Sequence, residues 1–275
     1  MRIQTVPCLS DNLSYLVIDD ATQTCVAIDP GEARPFLETI REQNLRLIAV
    51  LATHHHYDHV GGLSQLPSVP VWSSKRDLDR IPGAGESKIR EAFIDSKTLT
   101  WSELAGLPQD AVLKSVPIEL RTMSIPGHTE GQTALIVEDA RIANHVPHVF
   151  VGDTLFALGC GRCLEGTPEI LFESLQKLKQ LEPHCLVYFG HEYTEKNALF
   201  WLSHRKTADA DPRIDALRFD ADHVARQLES HMAYVRATRV PKPAPRLDVE
   251  IANNPFLQIK SANEFRRWRE LRNSF

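Results

Sequence analysis

Histidine and aspartate are concentrated between Thr53 and His59, where the sequence reads THHHYDH. His54 and His56 are two positions apart, so on an extended backbone they point the same way and can address one metal ion. Asp58 and His59 follow once the chain has begun to turn, and they can address a second, nearby point. Imidazole and carboxylate ligands suit zinc, iron or manganese, and a run without cysteine is not typical of a closed structural zinc site. The run therefore predicts a metal centre, and its position after an apolar segment argues against a solvated loop or an affinity tag.

Three later polar residues repeat this arrangement, because each follows a glycine at the end of a predicted strand. They are His128, Asp153 and His191. Each of them alone is a weak signal, since loops commonly carry polar residues. Together with the run at 53–59 they supply seven ligands. That number is enough for two ions that share a bridging oxygen and lie about 3.5–4 Å apart.

Strand-like and helical runs alternate over the first ~190 residues, as in layered α/β proteins. Strands are predicted at 14–18, 24–28, 47–51, 118–125, 133–137, 149–151, 186–189 and 249–251, and helices at 35–43, 168–181, 197–204, 214–234 and 262–271. The segment 74–111 predicts an irregular excursion, and the proline-rich stretch 240–245 predicts a stiff linker. Because helical patterns dominate after the last metal-site histidine, we expect a catalytic domain at 1–191 and a smaller substrate-binding domain at 192–275.

Composition narrows the class of partner. The formal charge of −5 gives no support to binding of nucleic acid or of a membrane surface. No run approaches the roughly 18 apolar residues of a membrane span, and the first residues lack the apolar core of a signal peptide. Five scattered cysteines are not a disulfide framework. We therefore expect a cytoplasmic protein, monomeric, that acts on a small molecule.

Four segments resemble, in chain order, the metal motifs of the metallo-β-lactamase fold superfamily. They are THHHYDH at 53–59, PGHT at 126–129, GDTLF at 152–156 and GHEYT at 190–194. More narrowly, DPG at 29–31, GCGR at 159–162 with EGT at 165–167, and the helical C-terminal part resemble the glyoxalase II family, the hydroxyacylglutathione hydrolases. The resemblance implies an α/β fold, a four-layer αβ/βα sandwich with a smaller, mostly helical C-terminal domain.

The same resemblance implies ligand sets and a reaction. It assigns one metal to His54, His56 and His128, the other to Asp58, His59 and His191, and a bridge to Asp153. The family hydrolyses S-2-hydroxyacylglutathione thioesters, such as S-D-lactoylglutathione, in the second step of methylglyoxal detoxification. A hydroxide between two divalent ions, zinc with iron or manganese as alternatives, would attack the carbonyl, and Asp58 would orient it.

Glutathione carries carboxylates, so its site needs cationic donors. The resemblance implies Arg162, Tyr193, Arg269 and Arg272 as substrate-binding residues. An alternative for the last two is a solvated helix face. The family usually has an aromatic residue where Leu164 stands, which bears on the tightness of glutathione binding.

Three other functions compete with thioester hydrolysis. A persulfide dioxygenase of similar fold uses one iron held by two histidines and one aspartate. A lactonase or β-lactamase, and a degenerate fold kept as a binding module, complete the alternatives. A degenerate site should have lost a ligand, and here none is missing. The remaining histidines, His55 among them, are predicted to be non-ligands.

Overall fold

The computed structural model describes residues 1–81, 90–93, 97–142, 146–204, 221–238 and 244–275. Parts of three predicted segments lie outside these residues: positions 214–220 of one helix, 240–243 of the linker, and 82–89 and 94–96 of the excursion. Within the described part of the chain, two β-sheets carry the metal motifs. No described helix combines the length and the apolar character needed to cross a lipid bilayer.

The first sheet has six strands that adjoin one another in chain order. They are β1 (Arg2–Cys8), β2 (Asn12–Asp19), β3 (Thr24–Ile28), β4 (Arg46–Leu51), β5 (Val71–Ser73) and β6 (Arg90–Ala92). The first three strands are antiparallel, and from β3 onward neighbours run parallel. Helix α1 (Ala33–Glu42) makes the crossover before β4, and the short α2 (Tyr57–Val60) follows it. The run at 53–59 therefore ends in a helical turn.

The second sheet has five strands, and the strand that comes last in the chain forms one of its edges. Its members are β7 (Leu99–Thr100), β8 (Ile118–Ser124), β9 (Thr133–Asp139), β10 (His148–Gly152) and β13 (Leu186–Phe189), in the order β13-β10-β9-β8-β7. Only β13 and β10 pair in parallel. Strands β11 (Leu155–Phe156) and β12 (Gly159–Cys160) form a separate hairpin. Short helices α3 (Trp101–Leu104) and α4 (Ala111–Lys114) precede β8.

Six helices of the described residues cover the outer face of the second sheet. They are α5 (Pro168–Leu178), α6 (Thr194–His204), α7 (Ala221–Thr238), α8 (Leu247–Asn253), α9 (Pro255–Gln258) and α10 (Ala262–Ser274). Helix α5 starts where the sequence predicts, because Thr167 caps its amino end through the Ile170 N–H and Pro168 suits its first position.

Three apolar clusters separate four layers. One lies between the sheets and joins residues such as Val17 and Phe150. Another packs Phe36 of α1 against the first sheet, and the third packs Leu171 and Trp268 against the second. Central strands such as β2 and β9 are buried along almost their whole length, whereas β1 and β8 keep exposed polar residues. The predicted four-layer αβ/βα sandwich is confirmed.

Some elements differ from their prediction. The strand predicted at 249–251 is wrong, because those residues lie inside α8, where Ile251 packs on the outer cluster. Strand β1 was not predicted. The described residues of 74–111 contain a 3-10 helix at Leu78–Arg80, strands β6 and β7, helix α3 and the first residue of α4. The boundary at residue 191 stays a prediction, although helices beyond it share a cluster with β13.

Candidate metal centre

The ligand-bearing loops meet at one edge of the two sheets. They follow β4, β8, β10 and β13, and the last three strands run in the same direction because β8 and β10 flank the antiparallel β9. The Thr133 N–H donates to the Thr53 carbonyl oxygen at 2.9 Å and so ties the first sheet's loop to the second sheet. Residues far apart in the chain are thereby brought to one cleft.

One triad of nitrogen atoms is formed by His54, His56 and His128. The His56 Nδ1 lies 3.1 Å from His54 Nε2 and 3.0 Å from His128 Nε2. His54 and His128 are buried, and His56 is half-buried. Three donors at these separations face a common point, as expected for ligands of one ion.

A second triad is formed by Asp58, His59 and His191. The His191 Nε2 lies 3.3 Å from both His59 Nε2 and Asp58 Oδ2, and the last two atoms are 3.8 Å apart. The Asn12 side-chain amide donates to Asp58 Oδ2 at 3.1 Å and fixes the carboxylate. The grouping is the one that the family resemblance implies.

Asp153 lies between the triads. Its Oδ1 is 3.3 Å from His59 Nε2, while its Oδ2 is 3.5 Å from His128 Nε2 and 3.4 Å from His191 Nε2. The Oδ1 atom is buried without a partner of hydrogen-bond geometry. A side chain at Gly190 would overlap this oxygen and come 2.8 Å from His59 Cε1, so only glycine fits there. The orphaned carboxylate oxygen and the converging nitrogens fit divalent metal ions.

The histidines of the two triads differ in the groups that hydrogen-bond to their outer ring nitrogens. In the second, Asp29 accepts from His59 Nδ1 at 3.0 Å and Asp11 accepts from His191 Nδ1 at 2.9 Å. In the first, His128 Nδ1 donates to the Arg162 carbonyl oxygen at 2.9 Å. Carboxylates behind an imidazole fix its tautomer and raise its basicity as a ligand. The second triad is therefore the more electron-rich.

Burial and mutual charge set the ionisation of these groups. Burial lowers the pKa of His54, and with the charge of neighbouring histidines it lowers the pKa of His56 to about 4. Burial alone would raise the pKa of Asp153, but the charge of His59 and a hydrogen bond from His191 hold it well below its usual range. The first triad's imidazoles are thus neutral and the bridging carboxylate is ionised, as metal ligands must be.

A cavity of about 480 Å³ opens from His128 and Asp153. All four predicted substrate residues line it, as does Leu164, whose surface is 58% exposed. The predicted four are Arg162, Tyr193, Arg269 and Arg272. The Tyr193 ring stacks on His191 with centroids 4.8 Å apart and an interplanar angle of 7°. Tyr193 therefore forms a wall of the cavity directly beside the second triad.

The two arginines of α10 differ in their contacts. Arg269 is 2% exposed, so a solvated helix face is the wrong description for it. Its Nη1 donates to the carbonyl oxygens of Cys160 and Gly161 at 2.8 and 3.1 Å. Arg272 is half-buried, and its Nη2 donates to Asn197 Oδ1 at 3.3 Å. Arg272 therefore makes no hydrogen bond to the backbone of the described residues, and its guanidinium is held by one side-chain oxygen and by the Phe200 and Phe275 rings.

Several residues around the site had no readable signal in the sequence. Asp11 and Lys196 are examples: Lys196 lines the cavity, its ammonium lies 4.9 Å from the centre of the Tyr193 ring, and it donates to Asp11 at 3.4 Å. Each is a common surface residue type whose position matters only through the fold. The acidic residue of the DPG segment, Asp29, was noticed only as a family feature, and its contact with His59 gives it a physical role.

Comparisons with known proteins agree with this geometry. Residues 10–191 match the family model of the metallo-beta-lactamase superfamily. The chain is 33% identical to a hydroxyacylglutathione hydrolase of Bdellovibrio bacteriovorus over 99% of this chain and 97% of that protein. It is 37% identical to one of Synechococcus sp. over 95% and 90% of the two chains.

Among solved structures, ETHE1 from Myxococcus xanthus superposes with a TM-score of 0.62 at 21% identity, over 98% of this chain and 90% of that one. At that identity the likeness concerns the fold alone. The family match covers most of the chain and both relatives cover nearly all of it. The chain therefore belongs to the metallo-β-lactamase superfamily and, within it, to the hydroxyacylglutathione hydrolase family.

Proposed function

We propose that this protein hydrolyses S-2-hydroxyacylglutathione thioesters, with S-D-lactoylglutathione giving glutathione and D-lactate. The observation that carries the proposal is the pair of donor triads joined by Asp153, opening into a cavity lined by arginines. The names of the two relatives support the substrate class. In the reaction a water oxygen forms a bond to the acyl carbon, the carbon–sulfur bond breaks, and glutathione leaves as its thiolate.

The donors divide into two sets that would each hold one divalent ion. One set is His54, His56 and His128, the other is Asp58, His59 and His191, and Asp153 serves both. When bound, such ions lower the pKa of a shared water from about 15.7 towards neutrality and polarise the thioester carbonyl. We propose zinc, and the same donors accept iron or manganese.

Asp58 is proposed to act on the attacking water as well as on a metal. Burial alone would raise its pKa, but hydrogen bonding with His191 and the charge of His59 keep its pKa below the usual range. The ionised Oδ2, fixed by the Asn12 amide, can accept a hydrogen bond from the water and orient its lone pair towards the carbonyl.

Arg162 and Arg272 are proposed to bind the carboxylates of the glutathione part, since guanidinium groups pair well with carboxylates. Tyr193 would position the thioester beside the second triad. Arg269 is proposed to contribute mainly by holding the turn that leads to Arg162. Leu164 offers aliphatic contact only, which weakens the packing available to the tripeptide.

The test is a hydrolysis assay of the metal-loaded protein on S-D-lactoylglutathione. Release of glutathione that stops on chelation supports the proposal. Lactone and β-lactam substrates serve as comparisons for the other hydrolase activities of this fold. No thioester cleavage, together with oxygen consumption on glutathione persulfide and one iron per chain, would replace the proposal with the dioxygenase function.

A further inference from the structure

His55 stands between the two donors His54 and His56, yet its own ring is engaged elsewhere. Its Nδ1 lies 3.0 Å from Asp77 Oδ1, and its Nε2 lies 3.5 Å from Glu165 Oε1. Each ring nitrogen thus has a carboxylate partner, one from the segment after β5 and one from the segment after β12. His55, which is not a member of either donor triad, therefore connects three parts of the chain.

Asp77 is a rigid anchor for this histidine. It has no exposed surface, and its Oδ2 is buried without a partner among the described residues. A side chain at Gly131 would overlap the Asp77 carboxylate, so the neighbouring loop packs directly against it. A buried carboxylate with one free oxygen is costly unless its other oxygen is well paired. His55 supplies that pairing.

Glu165 connects His55 to the third donor of the first triad. Its backbone N–H and that of Leu164 donate to the His128 carbonyl oxygen at 3.1 and 3.2 Å. The carbonyl oxygen of Arg162 accepts from His128 Nδ1. The segment that carries Glu165 thus wraps around His128. The Glu165 carboxylate also accepts from the Glu130 N–H at 3.0 Å, and its Oε1, the oxygen nearest His55, accepts from Arg80 Nη2.

We propose that His55 is a positioning residue of the first metal site. Through Asp77 and Glu165 it fixes the loop of His54 and His56 relative to the segment around His128, so that the three donors stay converged. The inference rests on the proposed function in taking this triad as a metal site. The second triad has its own supports, Asp29 and Asp11, and does not depend on this contact.

A different reading would make His55 a ligand, because its nitrogen, His56 and Glu165 also lie close enough to hold an ion. The two readings differ in the number of metals. A positioning residue leaves the wild-type protein with two ions and weakens one of them. A ligand of a further site implies a third ion that disappears with the side chain.

The experiment compares His55→Ala and Glu165→Gln with the wild type. His184→Ala is the matched control, a histidine with a 41% exposed side chain near Glu182 and outside the cavity. Apo-protein is titrated with zinc against a chromophoric chelator, and zinc per chain is measured by elemental analysis. Both variants should lose roughly 10- to 100-fold in affinity for one of two ions and little for the other. The control should match the wild type.

A double variant sharpens the comparison. If His55 and Glu165 act through one contact, His55→Ala/Glu165→Gln should lose little more than either single variant. Two ions held by both variants with wild-type affinity would overturn the proposal, as would a third wild-type ion that is lost in His55→Ala. If His55→Ala fails to fold, Glu165→Gln tests the same contact when it is compared with Arg80→Ala, which removes only the Arg80–Glu165 ion pair. Because no substrate is added, failure of thioester hydrolysis would affect the proposed function and leave this comparison intact.

Discussion

Arg269 Nη1 donates to the Cys160 carbonyl oxygen at 2.8 Å, which fixes helix α10 to the turn that precedes Arg162. A second bond from the same nitrogen reaches the Gly161 carbonyl oxygen. Sequence alone treats Arg269 and Arg272 as an equivalent pair, three residues apart on one helix. The contacts separate them by kind. Arg269 donates to backbone carbonyl oxygens of the cavity wall, whereas Arg272 lines the cavity, hydrogen-bonds among the described residues only to the Asn197 side chain, and lies over the rings of Phe200 and Phe275.

Replacing these two arginines should therefore give different results. Arg269→Ala removes charge-assisted hydrogen bonds to buried carbonyls and should cost about 1.5–3 kcal/mol of unfolding free energy. Arg272→Ala should leave stability near wild type and raise KM for S-D-lactoylglutathione by roughly 10- to 150-fold with little change in kcat. Thermal unfolding and steady-state kinetics measure the two effects.

Arg266→Ala is the control for this pair, since Arg266 lies on the same helix and forms an exposed ion pair with Glu169. It should change neither quantity appreciably. A short thioester that lacks the glycine carboxylate should be cleaved equally by wild type and Arg272→Ala. A loss of equal size on both substrates would rule out carboxylate binding by Arg272.

Metal content should be about two divalent ions per chain, because the donors form two triads. Asp153→Asn removes the charge shared between them and should lower the content to one ion or fewer, with most activity lost. Elemental analysis after gel filtration gives the content. One tightly bound ion in fully active wild-type protein would contradict the two-ion site.

Asp11→Asn should weaken the second site selectively. The substitution removes the carboxylate that orients His191, and loss of such a partner commonly costs 10- to 100-fold in metal affinity. Zinc titration should show one weakened ion while the other keeps its affinity. In His55→Ala, by contrast, the ion of the first triad should be the weakened one. If the two variants weaken the same ion, the first and second triads are not positioned independently.

Stability should fall as pH rises towards neutrality because of Glu250. Burial raises its pKa from 4.5 to about 7, although hydrogen bonds from the Leu158 N–H and the Asn254 amide act in the opposite direction. Since the folded pKa is the higher one, this contribution to stability is complete below pH 4.5 and is lost as pH rises through about 7. The full change is about 3 kcal/mol.

Glu250→Gln has no ionisable group at this position, so its free energy of unfolding should depend less on pH. Between pH 5 and pH 8 the wild type should lose up to about 3 kcal/mol more than the variant. At pH 8 the variant should be the more stable protein. Urea unfolding at both pH values measures the difference. Glu182→Gln, at a side chain 67% exposed, is the control and should follow the wild-type profile.

Leu164→Tyr should improve substrate binding. Leu164 lines the cavity and is largely exposed, so a larger ring has room to contact the glutathione part. An aromatic ring in place of an aliphatic chain adds contact area and should lower KM by about 3- to 10-fold, equivalent to about 0.5–1.5 kcal/mol. Kinetics on S-D-lactoylglutathione and on a glutathione-free thioester distinguish this gain from a general one; a lower KM on both would exclude a specific contact.

The sequence was most informative where chemistry depends on spacing. The ligand motifs carry unusual residue types after strands, and central strands such as β3 and β4 are almost fully buried, so their apolar runs are easy to recognise. Residues that act through contacts with distant partners were not recognisable. Asp77 and Asp11 belong to polar stretches, and only the fold brings them to His55 and His191. The run at 249–251 is β-branched at both ends, and packing on the outer cluster overrides that preference.

The position of His191 at the end of β13 has a consequence for biosynthesis. Strand β13 joins its sheet only by pairing with β10, so the second triad is assembled by a long-range contact late in the order of synthesis. A nascent chain that has emerged only as far as α5 (Pro168–Leu178) can form the first sheet, but it lacks a donor of the second triad. A complete second triad therefore exists only in a chain whose β13 has paired with β10, so metal binding there reports that the second sheet has closed.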